Sequence, residues 1–482
     1  DLAGRELRGL LAEFLPCQKG LARMVVAGGQ HAVADHNGPK ALRILRRQAQ
    51  AQQRSLPIVR DAEIEKLLLD YATPLLKAAG VRANRTEVVL LNSPAFNAFV
   101  SGRKIFINTG TIVQAESPNE VIGVLAHEIG HLAGGHQDRL RQQIDRAQAI
   151  QIATMVLGAG AAIAAGASGN RAGVGAGSGL MMGGAEAAKR GLLSYQRGEE
   201  TNADRAAVTY LEKTGQSPKG LLTTFKLMDR SISLISDRID PYRISHPLPR
   251  DRISTLESIA RKSPYFDKKD PPALQTRHDM ARAKIIAYSD GPSAAESFAA
   301  KTKSSKAALY ARTIAQFLYR SPRSALPMID KMIASDPSNP YLYEMKGEIQ
   351  LKAGNARGAA EAFTQASRLD KTGSSLLQTG LGHALVLQGD KQSLQRAVGE
   401  LEVALSLDPE NAEGYRFLAM AYGRLGDTGS ADLATAEQHF YTGRYKEAKV
   451  FAARAKRRFP QNSPQWLRAD DIQRFEIPRS RR

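Results

Sequence analysis

Four sets of residues in the C-terminal part of the chain repeat one spacing, and this repetition limits the fold more than any other feature. Ala325, Ile329, Met332 and Pro337 are spaced 4, 3 and 5. Ala359, Phe363, Ala366 and Lys371 repeat that spacing 34 residues later, and Ala397, Leu401, Ala404 and Pro409 after 38 more. Ala448, Ala452, Ala455 and Pro460 follow after 51, which is 34 plus an extra half-repeat. Positions at i, i+4 and i+7 share one helical face, and small residues there let helices cross closely. A fixed period of this length marks helix pairs that bury their apolar faces only by stacking into a superhelix with a concave side. Asp336-Pro337-Ser338-Asn339-Pro340 and Leu407-Asp408-Pro409-Glu410-Asn411 supply the turns. The chain is therefore all-α from about Pro271 onward.

Upstream the pattern is mixed. Ala62 to Ala79 has helical spacing with a kink expected at Pro74. Glu87 to Leu91 and Lys104 to Asn108 read as strands. Ser117-Pro118-Asn119-Glu120 opens a helix through Val121, Val124, Leu125 and Leu132 to about Gly134. Ser117 suits the cap, Pro118 the first helical position, and Glu120 completes a capping box. The fold class is α+β: a mainly helical domain with a small sheet, then a helical repeat domain.

Composition narrows the chemistry. The single cysteine, Cys17, excludes an intrachain disulfide and any zinc site built on paired cysteines. A metal here must be held by His, Asp and Glu. The net charge is +19, but it is spread, with the densest runs at Lys456-Arg457-Arg458 and Arg479 to Arg482. Without a Walker loop, zinc finger or aromatic-basic motif, this reads as a solvated basic surface and not as a nucleic-acid site.

His127-Glu128-Ile129-Gly130-His131 lies inside the capped helix. Two histidines four apart stand one turn apart on one face, where their imidazoles converge on one ion. Glu128 lies about 100° around the helix, within reach of a water at that ion. A catalytic site of this type takes a third protein ligand and leaves a position open. Glu199 and Glu200 are the downstream candidates. Asp204 shares a helical face with Glu200 and suits an outer role, orienting a ligand imidazole. His136, five beyond His131, falls on another face and reads as surface.

Ala147 to Asn170 carries no charge, and a second Gly-rich stretch runs from Ala172 to Ala185. By length the first spans a bilayer, but its composition is weak for that purpose. The readings are a spanning hairpin, a buried hairpin, or a lid touching a membrane peripherally. Residues 1–55 read as a leader or remnant.

Four segments together resemble the BepA- and HtpX-like zinc metallopeptidases, most nearly the periplasmic BepA-like branch with a C-terminal tetratricopeptide domain. They are Asn97-Ala98-Phe99 before the strand 103–108, the His127–His131 motif, Glu200-Thr201-Asn202-Ala203-Asp204, and His246-Pro247-Leu248-Pro249 followed by Arg252. The resemblance implies a gluzincin-type domain binding one Zn2+ per chain through His127, His131 and Glu200, with Glu128 as general base. The family usually carries an acidic residue where Asn202 stands. The resemblance also implies that the strand near Phe99 to Asn108 is an edge aligning substrate backbone, Asn97, Ala98 and Phe99 included. His246 is implied to stabilise the oxyanion or to lock the open metal position, with Arg252 supporting its loop.

The expected organisation is a leader at 1–55, a peptidase domain at 56–265 with the lid or hairpin at 147–185, a linker at 266–274, repeats at 275–470 and a basic tail at 471–482. The expected activity is zinc-dependent endoproteolysis of misfolded or stalled outer-membrane proteins in the periplasm. The repeats would bind protein substrate or the outer-membrane assembly machinery. The alternative is a latent peptidase serving as a non-enzymatic chaperone or scaffold.

Overall fold

A computed structural model describes residues 57–167, 171–232 and 250–477. The expected leader, His246 and residues 478–482 lie outside the described residues. The described chain divides into two units, one of 57–59 and 65–278, the other of 60–64 and 279–477.

The first unit combines a small sheet with long helices. Strand β1 (Ile58–Val59) precedes helix α1 (Ala62–Ala78), which carries Pro74 within an unbroken run. Strands β2 (Glu87–Leu91), β3 (Ala98–Ser101) and β4 (Lys104–Asn108) complete a sheet of order β1-β2-β4-β3. β2 and β4 are parallel; β1 and β3 flank them antiparallel. Ile105, Phe106 and Ile107 are all buried, because β4 is covered on both faces and paired on both sides. β1 and β3 are the edges of the sheet, and β4 is interior, so the expectation of one edge from Phe99 to Asn108 is corrected to Ala98–Ser101.

Helix α2 (Thr109–Gln114) leads to the central helix α3 (Pro118–Gly134), buried along its length to Gly130. Its start differs from the expected capping box. The Ser117 hydroxyl donates to Glu120 Oε1 at 2.9 Å, and Glu120 Oε2 accepts from the Glu116 N–H at 3.3 Å. The cap is supplied from afar, by Asp270 accepting from the Asn119 N–H at 3.0 Å. Gly135 then takes a left-handed conformation, φ 63°, which ends the helix and turns the chain.

Helices α4 (His136–Ala167) and α5 (Arg171–Lys213) pack along one another as a hairpin. Among the described residues no helix is long and apolar enough to cross a membrane. Ile150, Ile152, Met155, Val156 and Leu157 are exposed on α4. Helices α6 (Lys219–Ile232) and α7 (Arg250–Ala260) follow. The region expected as a linker is fastened to this unit. The Ser217 hydroxyl donates to the Phe266 carbonyl, and Lys219 pairs with Asp267 at 2.8 Å. Helix α8 (Pro272–Ser289) begins six residues after Phe266.

The second unit is all helical: α9 (Pro292–Lys301), α10 (Ser305–Tyr319), α11 (Pro322–Ser335), α12 (Pro340–Lys352), α13 (Ala356–Leu369), α14 (Ser375–Gln388), α15 (Lys391–Leu407), α16 (Ala412–Leu425), α17 (Thr428–Tyr441), α18 (Tyr445–Lys456) and α19 (Pro464–Arg474). The first three residues of each set lie on α11, α13, α15 and α18, each no more than 3% exposed, and the fourth lies in the turn that follows. One helix separates each of the first three carriers; α16 and α17 both intervene before the fourth, which accounts for the extra half-repeat. The turns work as caps: Asn339 accepts from Tyr341 N–H and Asn411 from Gly414 N–H, each at 3.0 Å. The Phe363 ring fills the gap left by Gly347 and Gly380, where added Cβ atoms would stand 2.6 and 2.5 Å from it. Lys284 is buried beside Asp61 at 2.7 Å, Glu63 at 3.5 Å and Glu344 at 3.7 Å.

Candidate metal centre

α3 presents His127 and His131 from successive turns, with their Nε2 atoms 3.0 Å apart. α5 brings Glu200 against both. Its Oε2 lies 3.4 Å from His127 Nε2 and its Oε1 3.2 Å from His131 Nε2. The three residues each offer a donor atom, all within 4.8 Å of one another. Ligands about 2.0–2.1 Å from one ion in a tetrahedron lie about 3.3 Å apart. The observed spacings of 3.0, 3.4 and 3.2 Å match that figure, so the donor set fits a zinc ion. Glu128 is fully buried on the same helix, next to His127.

Each ligand is held from behind. His127 Nδ1 lies 2.9 Å from Asp204 Oδ1, which keeps the proton on Nδ1 and leaves Nε2 as a donor to metal. Burial alone pulls the His127 pKa down, but hydrogen bonds and charge from Asp204 and Glu200 outweigh it and raise it to about 9. Arg252 grips Asp204 with two nitrogens, Nε at 2.6 Å and Nη2 at 2.8 Å, and reaches Glu200 with Nη1 at 2.7 Å. Burial pushes the Asp204 carboxyl up; the Arg252 charge beside it holds it below its ordinary value. Arg252 thus braces the two acids, a contact the sequence-based assignment to the His246 loop did not include. Phe225 of α6 closes the floor, its ring edge-on to His127 at 5.9 Å and under the Arg252 guanidinium at 4.8 Å.

Glu199, the other downstream candidate, turns away from this cluster. Its Oε2 meets His136 Nε2 at 2.9 Å and Arg139 Nη2 at 2.8 Å. His136 is 7% exposed, and its Nδ1 lies 2.9 Å from His131 Nδ1. The surface reading of His136 is therefore wrong. It assumed that α3 continues through residue 136, whereas the turn at Gly135 starts a new helix and swings His136 back over His131. A glycine four residues after a helical ligand was the available signal.

β3 packs against α3. Asn97 is fixed by Thr111, whose hydroxyl accepts from the Asn97 N–H at 2.9 Å and donates to its carbonyl at 2.8 Å. Ala98 is buried, and Phe99 stacks on Phe106 at 5.0 Å. Gln137 clips the hairpin end, donating to the Val100 carbonyl at 2.9 Å and accepting from the Gly102 N–H at 2.8 Å. His246 lies outside the described residues.

Residues 59–260 match peptidase family M48. The chain is 23% identical over 427 residues to the beta-barrel assembly-enhancing protease of Escherichia coli (strain K12), covering 86% of this chain and 83% of that one. It is 24% identical over 403 residues to the protein of the same name from Yersinia pestis, covering 82% and 79%. Over 78 residues it is 37% identical to Protease HtpX of Shewanella denitrificans (strain OS217 / ATCC BAA-1090 / DSM 15013), a match covering 15% of this chain and 26% of that one.

Proposed function

We propose, from the premise that residues 59–260 are a peptidase family M48 domain in a BepA-like chain, that the protein is a zinc-dependent endopeptidase acting on outer-membrane proteins during their assembly. The observation that carries this reading is the convergence of His127, His131 and Glu200 at spacings suited to one zinc ion. A zinc ion held there supplies Lewis-acid polarisation of a peptide carbonyl and lowers the pKa of water at that point. Glu128 takes the proton of the attacking water on a carboxylate oxygen and delivers it to the departing amine nitrogen. Asp204, braced by Arg252, keeps His127 in the tautomer that ligates.

The remaining roles are part of the same proposal. β3 aligns the substrate backbone by strand addition, with Gln137 setting where the free edge stops. His246 stabilises the oxyanion or reversibly closes the site. The helical repeats, read as tetratricopeptide units, receive protein substrate or the assembly machinery. The working compartment is the periplasm. The domain limits proposed are 56–265 for the peptidase and 275–470 for the repeats.

The test compares wild type with Glu128→Gln for hydrolysis of an unfolded outer-membrane protein, with zinc content measured on both. The reading expects equal zinc and loss of turnover only in the variant. Full cellular rescue by Glu128→Gln would instead favour a scaffold role, and equal turnover would remove Glu128 from the mechanism.

A further inference from the structure

We propose that His136 and Glu199 are a positioning pair for His131, the second half of a symmetric outer brace around the metal ligands. This rests on the zinc reading above. On one side, His127 Nδ1 is met by Asp204, itself held by Arg252. On the other, His131 Nδ1 is met by His136 Nδ1 at 2.9 Å, His136 Nε2 by Glu199 Oε2 at 2.9 Å, and Glu199 Oε2 by Arg139 Nη2 at 2.8 Å. Each ligand imidazole thus has a buried partner on the nitrogen facing away from the metal, and each partner leads to a carboxylate–arginine contact.

One proton arrangement satisfies the whole chain. With His131 Nε2 left as a metal donor, its proton sits on Nδ1 and is donated to His136 Nδ1. The His136 proton then sits on Nε2 and is donated to Glu199, which also accepts from Arg139. Both rings are neutral in this arrangement. The Glu199 carboxylate favours the Nε2–H form of His136, which makes His136 Nδ1 an acceptor and so selects the ligating tautomer of His131.

The backbone is shaped for this contact. Gly135 takes φ 63° and ends α3, which returns His136 toward the helix it has just left. Gly134 makes the room: a Cβ there would stand 2.2 Å from His136 Nε2 and 2.4 Å from its Cδ2.

The test measures Zn2+ affinity by chelator competition in the full chain, comparing wild type with His136→Phe, His136→Asn and Gly134→Ala. His136→Phe keeps a ring but has no acceptor, so affinity should fall about 10–100-fold. His136→Asn keeps an oxygen near the Nδ1 position and should recover most of that loss. Gly134→Ala should weaken zinc by displacing His136, although alanine favours a helix over glycine. The visible absorption of the Co2+-loaded protein should shift in His136→Phe and return toward wild type in His136→Asn. Metal-free melting curves establish that each variant is folded.

Wild-type affinity in His136→Phe or in Gly134→Ala overturns the proposal. So does an Asn variant as weak as Phe with an unchanged Co2+ spectrum, since the loss would then be one of packing. A wild-type chain that binds no Zn2+ removes the zinc reading itself, and the positioning pair with it.

Discussion

Gly130→Ala is the perturbation that most directly probes how the two ligand-bearing helices meet. Gly130 lies between Glu128 and His131 on α3, and Ala203 lies between Glu200 and Asp204 on α5. A Cβ at residue 130 would stand 2.9 Å from the Ala203 carbonyl oxygen and 3.1 Å from its Cα. Carbon contacts are comfortable near about 3.5 Å, so α5 must retreat by roughly 0.5 Å at the place that sets Glu200. Metal–ligand distances tolerate only about 0.2 Å. Overpacking costs about 1–3 kcal/mol, and the helix gains back up to about 1 kcal/mol from replacing glycine. Metal-free stability should thus fall by no more than about 3 kcal/mol. Zinc affinity should fall about 5- to 100-fold, the equivalent of 1–3 kcal/mol at the ligands. The assay is chelator competition beside thermal melts with and without Zn2+. The upward shift in Tm caused by zinc should shrink in the variant. Unchanged affinity with an unchanged metal-free Tm would refute the claim that close approach at Gly130 sets the ligand geometry.

Three other predictions follow from different parts of the molecule. Arg252→Met leaves Glu200 and Asp204 buried without their shared cation, so the metal-free peptidase unit should lose about 3–5 kcal/mol in urea denaturation; a loss under about 1 kcal/mol, the range of an exposed pair, would contradict the bracing role. Phe363→Ala empties the space between Gly347 and Gly380 and should cost about 3–5 kcal/mol, read as a lower midpoint in chemical denaturation, with no change in zinc affinity. The third concerns pH. Burial, acting against the Lys284 charge, raises the carboxyls of Glu63, Glu344 and Glu348 above their ordinary value. A raised folded pKa means that the native state holds more protons, so this stability is complete below the unfolded value near 4.5 and is lost as pH rises through the folded one. Lys284 is also raised, and its contribution disappears only above its ordinary value of 10.5. The repeat unit should therefore melt higher at about pH 5 than at about pH 8, and Glu344→Gln should reduce the difference. A difference that Glu344→Gln leaves untouched would exclude that carboxyl as its source.

The features legible in the sequence were those with local causes. The repeated quartets fix a buried face by spacing alone, and Ala325, Ala359, Ala397 and Ala448 are all fully buried. The histidine pair needed only a helix, which Pro118 and the apolar run through Ile129 supplied. What escaped the sequence depends on chain reversals and distant partners. His136 changed place because one glycine ended the helix. Arg252 reaches Glu200 and Asp204, 48 residues or more upstream. The extent of the edge could not be read because β4 pairs with β2 past the intervening β3, a parallel choice that no hairpin signal announces. Ser117 occupies the N-cap position, but its hydroxyl bonds Glu120, and the Asn119 N–H donates to Asp270, 151 residues further along the chain.

The most direct test of the central claim is the zinc content of the purified full chain, wild type beside Glu200→Gln. The account predicts about one zinc per wild-type chain, the stoichiometry of a three-ligand site, and a clear fall in the variant. Zinc absent from both proteins after metal is supplied, or equal in both, would contradict it.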